Sequence, residues 1–197
     1  MRPVAVLGAN VLIPRALRDL LLSLADGKVF RPVLQQSILG EVERNYPKVA
    51  VHHRGADRND AVKRVTRLLD SMARVLPDAS VATDKWVSLV REMACDEKDR
   101  HVLAVAVAAD VAYVVTENIK DFPPTSVPEG IKVIKVDTFL CELLATGSEA
   151  VIDAVQAMCD RYSQPAVTVA ELATKFANGH SAPRFGRLLH DATGAPS

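Results

Sequence analysis

The amino-acid sequence predicts a three-layer α/β sandwich with a mainly parallel sheet, followed by a C-terminal helical extension. Short apolar runs alternate with amphipathic helical patterns from the N-terminus to about residue 145. This alternation is typical of β-α-β units, whose crossover helices cover a parallel sheet. With 49% hydrophobic residues in a chain of 197, a core of ordinary size can be buried. Beyond Gly147 only helical patterns remain, so we expect an α/β domain over 1–145 and a helical extension over 146–197.

The strands are predicted from short apolar or β-branched runs that end at turn residues or at helical patterns. A run of this kind with no polar alternation indicates a strand that is buried on both faces. The five candidate strands are Val4–Leu7, Phe30–Leu34, Ala73–Leu76, Val111–Val115 and Ile131–Val136.

The helices are predicted from apolar residues at three- and four-residue spacing and from capping residues. The first runs from Pro14 to about Ala25, and the second begins at an N-cap, Ser37, and is expected to stop at Pro47. Residues 48–58 then form an exposed loop. Further helices are expected after a cap at Asn59 or Asp60, over Val81–Met93 and Asp99–Ala109, after a cap at Asp137, and near 148–162, 168–177 and 183–191.

Composition excludes several classes of protein. Lys+Arg and Asp+Glu are balanced at 24 each, so nucleic-acid binding requires a local basic patch. The three cysteines, Cys95, Cys141 and Cys159, lack CxxC spacing, which argues against a zinc site or disulfide framework and favours the cytoplasm. We expect no signal peptide and no membrane span, because the longest apolar run is interrupted by Asp110. No GxGxxG, P-loop or GxSxG element is present.

Residues 96–122 contain the most informative pattern. Carboxylates precede a buried helix at Asp96, Glu97 and Asp99, and the next strand ends at a polar group formed by Thr116, Glu117, Asn118 and Asp121. A helix start and a strand end can share one edge of a parallel sheet. Carboxylate ligands there suit Mg²⁺ or Mn²⁺, and such ions usually serve phosphate chemistry.

Each of these carboxylates also has a simpler interpretation. Asp99 is in position to be the N-cap of the following helix, and Asp121 alone is an ordinary turn residue. Their occurrence together favours a site. Asp96 is either a further ligand or a solvated neighbour, and Glu97 is expected at the surface. Glu41 contributes only if the fold brings it to Asp99.

Histidines and arginines supply weaker candidates. His52 and His53 lack the spacing of a metal site and fit an exposed loop, and His101 is expected to point away from the carboxylate face. A set of basic side chains could form a rim that holds a phosphate backbone, although each one is by default a solvated surface residue. The set is Arg15, Arg18, Arg44, Arg54, Arg58, Lys63, Arg64 and Arg67.

Four blocks of sequence resemble PIN-domain proteins, and in particular the VapC-like ribonuclease toxins of bacterial toxin–antitoxin pairs. The blocks are VLGANVLIP (6–14), ILGEVERN (38–45), DEKDRHVLAVAV (96–107) and VVTENIKDFP (114–123). The resemblance implies a PIN-like α/β/α sandwich that cleaves RNA phosphodiesters with Mg²⁺ or Mn²⁺. It also implies an antitoxin partner and a homodimer.

The resemblance assigns roles by position in the motifs. Glu41, Asp99 and Asp121 match the acidic metal ligands, with Asn118 beside Asp121 in the fourth group. Asp96 matches an auxiliary acidic position, and Asn10 and Thr116 match polar residues that organise the pocket. Of the basic set, Arg15, Arg18, Arg44 and Arg54 are the predicted RNA-binding residues.

Gly8 departs from the family pattern. The first motif in the family reads VLDANVLIP, with the central metal-ligating aspartate at the position of Gly8, and glycine offers no side-chain ligand. We therefore predict that the chain binds metal poorly and cleaves RNA slowly or not at all. Gly8 is either a selected or introduced inactivating change or a natural feature of a degenerate PIN domain. The alternatives are a non-catalytic scaffold that binds RNA or a partner protein, and a nuclease of the same fold directed at DNA.

Overall fold

Four parallel strands form the centre of the molecule in a computed structural model, which describes residues 2–76 and 79–194 apart from the side chains of residues 53, 54 and 75. The sheet order is β2-β1-β3-β4. A row of valines crosses it, because Val6 pairs with Val33 and Val114, and Val114 pairs with Val133. The predicted parallel sheet is confirmed. The strands are β1 (Val4–Leu7), β2 (Arg31–Val33), β3 (Tyr113–Val115) and β4 (Lys132–Ile134).

Helices connect and cover the strands. In chain order they are α1 (Ala9–Leu12), α2 (Arg15–Asp26), α3 (Gln36–Arg54), α4 (Arg58–Val75), α5 (Thr83–Trp86), α6 (Arg100–Ala108), α7 (Val136–Thr146), α8 (Ser148–Asp160), α9 (Val169–Ala177) and α10 (Pro183–Thr193). Short 3-10 turns occupy Val87–Glu92, Glu97–Asp99, Ile119–Asp121 and Pro124–Ser126.

The core lies between the sheet and its helices. Ala5, Val6 and Leu7 of β1 are fully buried, as expected for a central parallel strand covered on both faces. On α7, Phe139 meets Phe30 edge-on with 5.1 Å between ring centroids, and it lies 5.4 Å from the Tyr113 ring. α6 packs against β1 and β3. These contacts hold the carboxyl ends of β1 and β3 side by side.

The predicted third strand is wrong, because α4 continues to Val75. Its buried residues Ala61, Val65 and Met72 keep helical spacing, and a four-residue apolar run cannot by itself distinguish a strand from the end of a buried helix. The sheet therefore contains four strands among the described residues. The predicted helix over 81–93 is shorter than expected and ends in a 3-10 turn.

Pro47 was predicted to end the second helix, and this prediction is wrong. α3 continues through Pro47 to Arg54 and ends at Gly55, whose positive φ of 58° closes the helix in the left-handed conformation. The predicted exposed loop is therefore helical over 48–54. α3 packs along α4, and this packing offsets the hydrogen bond that a proline removes from a helix.

Three predicted caps also differ. Asp57, instead of Asn59 or Asp60, caps α4 by accepting from the backbone N–H groups of Asn59 and Asp60 at 2.8 and 3.0 Å. Ser37 lies inside α3. Asp137 lies inside α7, and its carboxylate accepts from the N–H groups of Arg184 and Phe185 at 3.2 and 2.8 Å. Asp137 thereby caps α10.

The C-terminal helices follow the predicted pattern closely. α8 packs against α2, and α10 packs against α9 and α7. Thr168 and Glu171 form a reciprocal capping box at the start of α9. Near the end of α8, Arg161 donates to Ser23 and the Tyr162 hydroxyl donates to Asp19 at 3.0 Å. Within the described part of the chain, no helix is both long and apolar enough to cross a membrane.

Candidate active site

A small cavity of about 130 Å³ lies at the carboxyl ends of β1 and β3. Gly8 directly follows β1 and Thr116 directly follows β3, while α3 supplies Glu41 and the turn before α6 supplies Asp99. Parallel strands open such a crevice where their connections diverge. The lining residues are Gly8, Ala9, Asn10, Ile13, Glu41, Asn45, Asp99, Val102, Thr116, Asn118 and Phe122.

Asn10 and Thr116 join the two strand ends. The Asn10 side-chain amide donates to Thr116 Oγ1 at 3.0 Å and accepts from the Glu117 N–H at 3.3 Å. Thr116 Oγ1 also accepts from the Asn118 N–H at 3.2 Å. This network holds the backbone of 116–118 against the start of α1. Asn118 itself has an exposed side chain on the cavity wall.

Asp99 and Asp121 are the buried carboxylates of the site, with side chains that are 15% and 10% exposed. The Oδ2 atom of each is buried, and its partner among the described residues is the Lys98 ammonium. The Asp96 N–H donates to the backbone oxygen of Asp121 at 3.3 Å, which ties the two segments together. Buried carboxylate oxygens with so few hydrogen-bond donors are costly, so a positive charge beside them is stabilising.

Lys98 is the residue of the site that sequence reasoning missed. Its Nζ atom lies 3.3 Å from Asp121 Oδ2, and 3.9 Å from an Oδ2 atom of both Asp96 and Asp99. Lys98 was visible between two acidic positions in DEKD, but its approach to Asp121 depends on the fold. One ammonium therefore serves three carboxylates.

The electrostatics of the pocket reflect this crowding. Burial raises the pKa of Asp99, Lys98 opposes the rise, and the charges of Asp121, Glu41 and Asp96 add to it. The pKa of Lys98 is raised by its interaction with Asp121 and by the surrounding negative charges. The pocket thus favours a cation among its carboxylates.

Glu41 reaches the pocket wall, where its Oε1 lies 3.2 Å from His101 Nε2. The prediction that His101 points away from the carboxylate face is wrong, because α3 brings Glu41 to the first turn of α6. Asp99 is the N-cap residue of α6, as the simpler interpretation predicts, but its side chain makes no capping hydrogen bond. Asp96 instead caps the preceding 3-10 turn by accepting from the Lys98 N–H at 3.2 Å. Glu97 is exposed, as predicted.

Gly8 has space for a side chain. Its backbone is extended, with φ −66° and ψ 155°, a conformation open to any residue. A Cβ atom here would lie 3.4 Å from Asn10 Oδ1 and from Cβ and Oγ1 of Thr116, which is ordinary contact. A Cβ atom at position 8, on the cavity wall, therefore fits without displacing backbone.

The donors present fit a divalent cation only in part. Across residues 2–76 and 79–194, no three His, Cys, Asp or Glu side chains are arranged to hold a metal, so Glu41, Asp99 and Asp121 do not form such a group. Asp99 and Asp121 nevertheless present buried oxygen atoms that share only the Lys98 ammonium among the described residues. Mg²⁺ keeps several waters and binds through one or two carboxylates, so this pair fits the ion.

The predicted basic residues lie in different surroundings. Arg18 is 6% exposed and donates to the backbone oxygens of Leu12 and Ile13, so it does not belong to an exposed rim as predicted. Arg15 is exposed and lies 3.5 Å from Asp19. Arg44 is exposed and lines a groove between α3 and α4. The predicted contribution of Arg54, like that of His53, concerns a side chain outside the described residues.

Residues 4–120 match the PIN domain. The chain belongs to the PIN-domain family. In this PIN-domain protein, residues 136–191 also match the VapC50 C-terminal domain, which covers α7 to α10. The protein is therefore a VapC-like PIN protein with the C-terminal helices of that group. The boundary near residue 145 stays a prediction.

Among curated proteins, this PIN-domain protein resembles "Putative ribonuclease VapC50" of Mycobacterium tuberculosis (strain ATCC 25618 / H37Rv). The two are 37% identical over 98 residues, which span 49% of this chain and 57% of the relative. The match thus covers little more than half of the relative's length. No solved structure matches the chain.

Proposed function

We propose that this PIN-domain protein is built as a Mg²⁺- or Mn²⁺-dependent endoribonuclease toxin, and that Gly8 weakens or abolishes its activity. The observation that carries the proposal is the pair of buried Oδ2 atoms of Asp99 and Asp121, which share a single nearby ammonium group, that of Lys98. Oxygen donors at this edge of a PIN domain suit an ion that acts on phosphodiesters.

In the proposed mechanism, the side chains divide the work of RNA hydrolysis. Asp99 and Asp121 would hold the ion, which when bound activates water and neutralises charge on the phosphoryl oxygens. Asn10 and Thr116 orient the cavity wall through their hydrogen bond. Glu41 lies at the wall with its Oε1 3.2 Å from His101 Nε2, and from there it would accept a proton from the attacking water.

Two features of the chain oppose ion binding. Gly8 removes a carboxylate at the position where the family places its central ligand. Lys98 supplies a positive charge to Asp96, Asp99 and Asp121, which neutralises part of the pocket without an ion. Removing one crowded carboxylate weakens metal binding and relieves repulsion in the metal-free protein.

The decisive experiment compares the parent chain with Gly8→Asp in Mg²⁺-dependent cleavage of RNA. We expect Gly8→Asp to cleave at least about a hundredfold faster, because even outer-shell changes at metal sites cost 10- to 100-fold. Gly8→Asn is the matched control, since it fills the same space without a carboxylate. Equal cleavage by the parent and Gly8→Asp would contradict the proposal.

A non-catalytic scaffold that binds RNA or a protein is the second candidate. It is favoured by the lack of a three-residue metal group among the described side chains. The two candidates separate in the Gly8→Asp experiment, because a scaffold would bind RNA without acquiring cleavage. A parallel assay on single-stranded DNA separates the RNA-directed nuclease from a DNA-directed one.

We also propose the setting that the family implies for this chain. The protein would act on RNA in the cytoplasm, form a homodimer and be held by a cognate antitoxin. Co-expression with the product of a neighbouring antitoxin gene, followed by co-purification and measurement of the complex mass, tests the partner and the dimer together. A monomer that does not co-purify would count against both.

A further inference from the structure

The continuation of α3 past Pro47 creates a regular line of basic residues. Arg44, Lys48 and His52 are four residues apart on one helix, so they follow each other along one side at intervals of ~6 Å. The spacing is comparable to that of successive phosphates in an extended nucleic-acid strand. Had the chain formed a loop after Pro47, this order would be lost.

Arg44, Lys48 and His52 line a groove of about 720 Å³ between α3 and α4. Arg58, at the start of α4, lies on the opposite wall. Val51 and Val62, which are 41% and 46% exposed, give the groove an apolar component. The remaining lining residues are Glu43 and Pro47.

The charge of this α3–α4 groove is locally unbalanced although the whole chain has a net charge of +0. Glu43 is its only acidic lining residue among the described side chains. No ion pair within residues 2–76 and 79–194 involves Arg44, Lys48 or Arg58. A concave surface with an excess of positive charge attracts a polyanion.

Along α3, the α3–α4 groove lies next to the cavity at the ends of β1 and β3, called the acidic cavity below. Lys48 Nζ donates to Asn45 Oδ1 at 3.3 Å, and Asn45 lines the cavity together with Glu41. Arg44 follows Glu41 by three residues, about one helical turn. A chain lying in the groove would therefore pass close to the carboxylates.

We propose that the α3–α4 groove binds the phosphate backbone of single-stranded RNA and leads the strand to the acidic cavity. The inference rests on the proposed function and adds the path of the substrate. Arg44, Lys48 and Arg58 contact phosphates, while Val51 and Val62 contact the sugar and base faces. Phosphate neutralisation makes such binding strongly dependent on salt.

The test measures the affinity of a fluorescently labelled single-stranded RNA by anisotropy, with EDTA present so that no RNA is cut. Arg44→Gln/Lys48→Gln should bind at least tenfold more weakly than the parent at low salt. The plot of the logarithm of the association constant against the logarithm of the salt concentration should become less steep by ~1.4, since each phosphate contact on a single strand contributes ~0.7 to the slope. The charge-preserving variant Arg44→Lys/Lys48→Arg should bind RNA as tightly as the parent, which shows that changing these two side chains does not by itself disturb the fold.

Lys63→Gln/Arg67→Gln is the matched control, because it removes the same charge from an exposed part of α4 that does not line the groove. An equal loss of RNA affinity in both double variants would overturn the proposal, because it would show that RNA binds through general surface charge and not through the groove. Unchanged RNA affinity, with lost binding of a poly-glutamate peptide, would assign the groove to an acidic protein segment and overturn the proposal.

Binding and cleavage keep the two proposals distinguishable. Groove-dependent RNA binding without cleavage by Gly8→Asp would support the groove and remove the nuclease. Cleavage by Gly8→Asp, with normal RNA binding by Arg44→Gln/Lys48→Gln, would support the nuclease and contradict the groove.

Discussion

The acidic cavity and the C-terminal helices differ in how fully their polar side chains are hydrogen-bonded. At and beside the cavity, the buried Oδ2 atoms of Asp99 and Asp121 share only the Lys98 ammonium among the described residues. In α7 to α10, Asp137 caps α10 and Thr168 pairs with Glu171. Unsatisfied buried groups cost stability, and proteins keep them mainly where they serve a function. The cavity is thus organised for binding, and the C-terminal helices are organised for stability.

Gly186→Ala in α10 is expected to have the largest effect, and it tests whether the C-terminal helices are organised for stability. A Cβ atom at position 186 would lie 2.2 Å from Ala177 N and 2.7 Å from Ala173 O, so α9 and α10 would have to separate. We expect a loss of about 3 kcal/mol, and a melting temperature lower by roughly 10 °C. Circular dichroism during thermal unfolding measures the change.

Gly40→Ala is the control, because it places the same methyl group inside α3 against only the end of the Arg44 side chain. It should be neutral or stabilise the protein by up to ~1 kcal/mol. If Gly186→Ala melts at the same temperature as the parent, the C-terminal helices are not tightly packed. That result would contradict the view that they are organised for stability.

The second effect concerns Tyr162, which joins α8 to α2. Burial, together with the charge of Asp19 and the hydrogen bond to it, raises the pKa of Tyr162 from 10.0 to about 12. A raised pKa in the folded state means that the phenol contributes full stability below pH 10, and that this contribution is lost between pH 10 and about 12. Tyr162→Phe should lose ~1 kcal/mol at neutral pH.

Urea unfolding as a function of pH, together with ultraviolet titration of tyrosinate, tests the role of Tyr162. The variant should show a flatter decline of stability in the alkaline range than the parent. Tyr46→Phe on α3 is the control. Identical alkaline profiles for the parent and Tyr162→Phe would show that the α2–α8 contact does not depend on the neutral phenol.

The smallest effect is expected at the pocket, from Lys98→Met. Without the ammonium, Asp99 and Asp121 repel each other, so the metal-free protein should melt slightly lower. Affinity for Mn²⁺ should rise about threefold, since exposed ion pairs contribute little. Thermal unfolding at increasing Mn²⁺ measures both, and Lys120→Met is the control on an exposed neighbouring lysine. Reduced Mn²⁺ affinity would show that Lys98 supports ion binding instead of competing with it.

Local patterns were sufficient for most of the fold. The valine-rich runs around Val6 and Val114 predicted the central strands because a buried parallel strand needs apolar residues on both faces. Helical periodicity located the three helices beyond residue 147. The end of α3 could not be predicted, since Pro47 is an ordinary stop signal and only packing against α4 overrides it.

The sequence predicted which acidic residues belong to the candidate site, but not which side chains they contact. Spacing and resemblance identified Glu41, Asp99 and Asp121 as acidic candidates. They did not show that His101 contacts Glu41, or that Lys98 lies among the carboxylates. These contacts join segments far apart in the chain, and side-chain periodicity reports only the face of an element on which a residue lies.

The order of residue types along the chain was enough to predict the parallel sheet and the helical extension, because periodicity and residue chemistry are local properties. The prediction that a carboxylate is missing at Gly8 came from the resemblance to PIN-domain proteins. Tertiary structure alone decided that the Lys98 ammonium lies beside three carboxylates and that α3 and α4 form a basic groove near them. Both depend on distances between separate segments, which only packing of the core establishes.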